Sequence, residues 1–169
     1  MRASEVIGKP IVSAETGEKL GSVADLLLDS AIIRVVGLVV DGGLFSAEHV
    51  LPYADVTMLG RDAVVTRSAY GLVGPHEWRA RAVDASRAST LKNRRVITDR
   101  GRRVGVVKDI VLQDATGRIE AYEVAASAFA GLVERRHLMP HSSTVIIGPD
   151  AIVVSERVAH AVQGPRHGK

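Results

Sequence analysis

The sequence contains no cysteine. That absence removes disulfides, thiolate nucleophiles, iron–sulfur clusters and cysteine-ligated zinc together, and it suits a reducing compartment. Aromatic residues are scarce, with one Trp, three Tyr and two Phe in 169 residues. Any core must therefore be aliphatic, drawn from Val, Ile, Leu and Ala. No stretch approaches the roughly 18 uninterrupted apolar residues of a membrane span, and the start, MRASEVIGKPIV, lacks the apolar segment of a secretion signal. A cytoplasmic chain with no transmembrane segment is expected. Signatures of chemistry are missing as well: there is no Gly-x-Ser-x-Gly elbow, no Gly-x-Gly-x-x-Gly turn and no Walker-type loop. The expectation is a protein that is not an enzyme and carries no cofactor and no metal.

What the sequence does have is a repeat. Gly17 to Val40 returns as Gly101 to Val124, 84 residues on, with Gly17, Gly21, Val23, Asp25, Leu28 and Arg34 matched by Gly101, Gly105, Val107, Asp109, Leu112 and Arg118. Further along, His49, Pro52, Gly60, Asp62, Ala63 and Val65 are matched by His137, Pro140, Gly148, Asp150, Ala151 and Val153 at a spacing of 88. The second copy thus holds four extra residues between its middle strands. A tandem duplication dictates two like domains, here expected at residues 1–68 and 92–157, with a linker at 69–91 and a flexible tail at 158–169. Units of about 60 residues are marginal alone, so each copy should lean on its twin or on a second chain, and a homodimer is one such arrangement.

Within the first copy, Ala14-Glu15-Thr16-Gly17 reads as a turn. Leu20 to Asp29 alternates with period two but is half apolar on both faces, which suits a curved sheet. Ile32 to Asp41 is too rich in Val and Ile for a helix. Asp41-Gly42-Gly43 signals a hairpin, and short strands follow at Val50–Pro52, Val56–Leu59 and Ala63–Arg67. Five or six short strands in about 60 residues give an all-β fold, a small antiparallel barrel occurring twice. In the linker, Pro75-His76-Glu77-Trp78-Arg79 starts a short helix.

These residues also carry a likeness. Gly8-Lys9-Pro10-Ile11-Val12, Gly17-x-x-Leu20-Gly21-x-Val23-x-Asp25, Val36-Gly37-Leu38-Val39-Val40, and Val50-Leu51-Pro52-Tyr53-x-x-Val56 with Gly60-x-Asp62-Ala63-Val64-Val65 resemble the PRC-barrel family. That family takes its name from the photosynthetic reaction centre H subunit and includes the C-terminal domain of the ribosome maturation factor RimM. The second copy is similar more loosely, from Arg95 to Val154. The resemblance implies a bent antiparallel β-barrel acting as an adaptor that docks proteins or assembles complexes.

Candidate sites follow from what stands out. Leu44 and Phe45 in the first copy, and Phe129 and Leu132 in the second, are apolar residues on turns; they either contact a partner protein or plug the barrel ends. Between Arg79 and Arg103 nine basic residues meet two acidic ones. Arg79, Arg81, Arg94, Arg95, Arg102 and Arg103 are the residues that would meet phosphate if the protein bound RNA or the ribosome; the other reading is a solvated linker and strand edge. Asp25 and Asp109 suit carboxylates that accept backbone N–H bonds, and with Gly17, Gly21, Gly101 and Gly105 they form the structural set. His49 and His137 recur, but no further ligand recurs beside them. Trp78 and the linker are expected to fill a pseudo-two-fold seam between the barrels.

Overall fold

The computed structural model describes residues 1–41, 48–81, 84–128 and 133–157. The chain divides into two compact units, Met1–Ser89 with Leu112–Arg118, and Thr90–Val111 with Ile119–Lys169.

The first unit opens with a single helical turn, α1 (Ala3–Val6), and continues through β1 (Pro10–Ser13), β2 (Lys19–Asp29), β3 (Val35–Asp41), β4 (His49–Pro52), β5 (Val56–Leu59) and β6 (Val64–Thr66). The strands run in the order β4-β3-β2-β1-β6-β5. Aliphatic side chains fill the inside, with Val6, Ile11, Leu26, Leu28, Leu38, Leu51 and Val64 fully buried, as the shortage of aromatics requires. All the ladders on this path are antiparallel except one: β1 lies parallel to β6, with Ile11 opposite Val64. Alternation in the sequence reports which face a residue occupies and says nothing of strand direction, so this closing ladder was not legible there.

Strand β2 explains why both of its faces read as apolar. Val23 pairs with Val40 and Asp25 with Val39, so Ala24 is an extra residue, a bulge that shifts the alternation by one. Leu20, Gly21 and Val23 are buried on one side of it, Asp25 to Leu28 on the other, and Ala24 is exposed. Ile32, expected at the start of the next strand, sits in the turn before it with φ +54° and is buried there.

The linker is more than a spacer. It folds into α2 (Pro75–Ala80), the helix its sequence announces, and then β7 (Ala85–Arg87), which joins the first sheet by pairing with Leu27–Asp29 of β2.

In the second unit β8 (Arg95–Thr98), β9 (Arg103–Leu112), β10 (Ile119–Ala128), β11 (Val133–Pro140), β12 (Thr144–Ile147) and β13 (Ala151–Val154) repeat the order as β11-β10-β9-β8-β13-β12. The closing ladder is again parallel, with Val96 opposite Ile152. The hydrogen bonds refine the alignment of the copies. Lys9 Nζ donates to the Gly60 carbonyl at 2.6 Å, and Arg94 Nη1 donates to the Gly148 carbonyl at 2.9 Å. Gly60 and Gly148 open the same turn, each donating its N–H to an alanine carbonyl at 2.9 Å. Lys9 and Arg94 are therefore equivalent although 85 residues apart. The difference from 84 lies in the first turn, closed by Gly17 N–H to the Ser13 carbonyl in one copy and Gly101 N–H to the Thr98 carbonyl in the other. In each copy a cation ties the first strand to the turn before the last. Lys9→Met and Arg94→Met keep the aliphatic stem and lose the bond, and each should cost about 1–2 kcal/mol in urea unfolding.

Candidate docking face

The two copies differ most in what lies over the outside of their fourth strand. In the first unit Val50 of β4 exchanges two hydrogen bonds with Val73, N–H to carbonyl in both directions at 2.9 Å. Leu27, Val39, Val50 and Val73 form a buried cluster, with Val36, Trp78 and Ala85 packed against it. Val73, Trp78 and Ala85 thus form an apolar cover over β2, β3 and β4. Gly37 makes room for it: a methyl group there would stand 2.9 Å from Val50 Cγ1 and 3.2 Å from Trp78 Cη2.

In the second unit the same register recurs. Glu123 stands opposite Leu138 as Val39 stands opposite Val50. Leu138, however, is 57% exposed where Val50 is 6%. Ala121, which repeats Gly37, carries the methyl group that the indole leaves no room for. Glu123 is buried in place of Val39, and Arg136 donates to its Oε1 at 2.8 Å, so an exposed guanidinium closes over a buried carboxylate. The second unit therefore presents Leu138, Ala121 and a Glu123–Arg136 pair on the face that the first unit covers with its own chain.

The residues singled out in the sequence fall elsewhere. Leu44, Phe45, Phe129 and Leu132 lie outside the described residues. Arg79 and Arg81 belong to the first unit and Arg94, Arg95, Arg102 and Arg103 to the second. Of the six, Arg81 is engaged with Glu77 at 2.8 Å, Arg94 with the Gly148 and Thr90 carbonyls and Arg102 with Glu156, and Arg103 also has a partner. Arg79, Arg95 and Arg103 are exposed. His49 pairs with Val40 in the β3–β4 ladder and His137 with Val124 in the β10–β11 ladder. No group of three or more His, Asp or Glu among the described residues could hold a metal ion, and no helix among them is long and apolar enough to cross a membrane.

Asp25 is buried, and its carboxylate accepts from Leu26 N–H at 2.8 Å, Ser89 Oγ at 2.6 Å and Ser89 N–H at 3.3 Å. Asp109 accepts from Ile110 N–H at 2.9 Å in the same way. Gly17 and Gly101 sit in their turns at φ +72° and +78°.

The Tyr53 phenol stands apart from its ordinary range. The Tyr53 hydroxyl donates to the Asp114 carbonyl at 2.7 Å, and burial, with the Asp114 carboxylate second, pushes its phenol up to about 12. A phenol kept neutral by the fold adds stability that is complete below the unfolded value of 10 and is lost as pH rises through 12. Wild-type stability should therefore fall between pH 10 and 12 by more than that of Tyr53→Phe, as read from urea midpoints across that window.

A family profile described as the PRC-barrel domain matches residues 1–73 and again residues 83–160. Among solved structures the chain is similar to a crystal structure of a 16S ribosomal RNA processing protein RimM from Pseudomonas aeruginosa, at 17% identity over 89% of this chain and 95% of that one, with a TM-score of 0.29. No curated protein matches it.

Proposed function

We propose, from the premise that this chain belongs to the PRC-barrel domain family in both of its copies, that it is a non-catalytic adaptor that docks a partner protein on the outer face of its second barrel. The observation that carries this reading is the contrast between Val50, buried under Val73, and Leu138, open to solvent at the matching position. The first barrel already takes a short chain segment on that face, so the fold is suited to holding one. The second offers the same strand register without a described cover. Exposed aliphatic side chains beside a charged rim are the usual make-up of a protein contact.

The test compares two aspartates. Leu138→Asp replaces an exposed side chain and should shift the urea midpoint by no more than about 0.5 kcal/mol, while reducing the recovery of a partner crosslinked in the native cell by about tenfold or more. Val50→Asp places a carboxylate beneath Val73 and should destabilise the first barrel by about 3 kcal/mol. Unchanged partner recovery by Leu138→Asp would refute the docking face. Affinity for RNA that falls steeply with salt and is lost in Arg95→Glu and Arg103→Glu would replace this reading with one in which the basic stretch meets phosphate.

A further inference from the structure

We infer that the second barrel takes its partner by strand addition, along the outer edge of β11, from an extended segment of another protein that places an aliphatic residue opposite Leu138 and an acidic residue two or three positions later. The inference rests on the docking reading and specifies its chemistry.

In the first unit both backbone groups of Val50 bond to Val73, so Val39 and Val50 form a non-hydrogen-bonded pair and Val50 turns its N–H and carbonyl to the outer edge. Leu138 holds that place in the second ladder, so its N–H and carbonyl face outward too. Among the described residues strand β11 ends the sheet order, and it runs for eight residues. Natural edge strands are blunted by charge, by proline or by cover. Here the charged residues Glu134, Arg135 and Arg136 are gathered at one end, while Leu138 is uncharged and exposed.

Strand addition gives affinity through the main chain and selectivity through the side chains beside it. Three features set that selectivity. Val73 meets Val50 antiparallel, and an incoming segment in the same sense would set the residues two and three places after its aliphatic one against Arg136 and Arg135. Arg136 already holds Glu123 and Arg135 is exposed, so this end of the edge favours an acid. In the first unit an indole arrives five residues after the bridge and rests on Gly37; Ala121 removes that seat, so the second barrel disfavours an aromatic there.

The probe is a fluorescent peptide with a single valine between threonines and glutamates two and three positions after it, titrated onto the full chain by anisotropy. Binding should weaken about tenfold or more with Leu138→Asp, and equally when the valine nitrogen is methylated, because methylation removes the donor and blocks the edge. Arg135→Glu should weaken it about fivefold, and less so at high salt. Several results would overturn the inference: no peptide binding, binding indifferent to N-methylation, or binding that emerges only when residues 158–169 are removed, which would assign the edge to the chain's own C-terminal segment. A wild-type dimer that Leu138→Asp dissociates in sedimentation would assign it to a second copy and overturn it as well. If the peptide fails while Leu138→Asp still loses the cellular partner, strand addition falls and the docking face stands; if neither responds, both fall.

Discussion

Gly105→Ala is expected to leave the second barrel largely unfolded at room temperature. A methyl group on Gly105 would collide with the Ala125 carbonyl oxygen, and it would stand 2.9 Å from the Ala125 carbonyl carbon and from Val124 Cγ1. The obstacle is backbone within a ladder, so no rotamer change relieves it, and β9 would have to part from β10. The first barrel repeats the contact at Gly21, where a methyl group would lie 2.6 Å from the Asp41 carbonyl oxygen and 2.7 Å from Val40 Cγ1, at φ +149°. In each barrel the backbone of the neighbouring strand passes directly over this glycine. Each substitution should cost about 3 kcal/mol or more, a large part of what a small domain possesses. Gly74→Ala, with nothing within 4 Å of the new methyl group, is the control and should stay within about 0.5 kcal/mol. Urea unfolding of the three variants decides the matter, and a Gly105→Ala protein as stable as Gly74→Ala would mean that the strands are not so close.

Asp25→Ala is expected to be the most damaging change of a polar side chain. The carboxylate is 4% exposed and answers three donors, two of them from Ser89. Removing it strands the buried Leu26 N–H and takes their acceptor from the Ser89 hydroxyl and N–H, at about 2 kcal/mol. Asp25→Asn keeps one acceptor oxygen and should lose about 1 kcal/mol. A double-mutant cycle with Ser89→Ala should show strong coupling, because each group exists there for the other. Additive losses would show that the bond contributes little.

Much of this was legible in the sequence because the copies inform each other. Glycines at fixed spacing, a paired Asp25 and Asp109, and β-branched runs between them announced two small barrels. Other features depend on partners remote in the chain. Arg94 reads as one more cation in a basic run, and only its reach to Gly148, 54 residues away, reveals a fastener. Ala24 looks like any strand residue until the ladder shows it to be the extra one. Leu138 is the clearest case. Its local pattern is that of Val50, and both suggest a core position; the difference is a segment that lies over one and not the other, which local alternation does not encode. Leu44, Phe45, Phe129 and Leu132 stand out in the sequence because apolar residues beside turn signals are conspicuous, whereas an aliphatic residue inside a strand is not.

The parallel ladder that closes each barrel sets an order of events during synthesis. Ile11 finds its ladder partner Val64 only 53 residues later, a delay of about 3–10 s at ordinary rates of elongation. Until then the first strand has half its bonds, and the strand that best resembles its missing neighbour is β13, made last of all. Emerging from its N-terminus, the chain completes the first barrel before that competitor exists. A chain diluted out of denaturant has no such sequence of arrival, and β1 meets both β6 and β13 at once. Refolding should therefore yield a slow, misassembled fraction that fresh synthesis avoids, as happens when similar domains stand side by side in one chain.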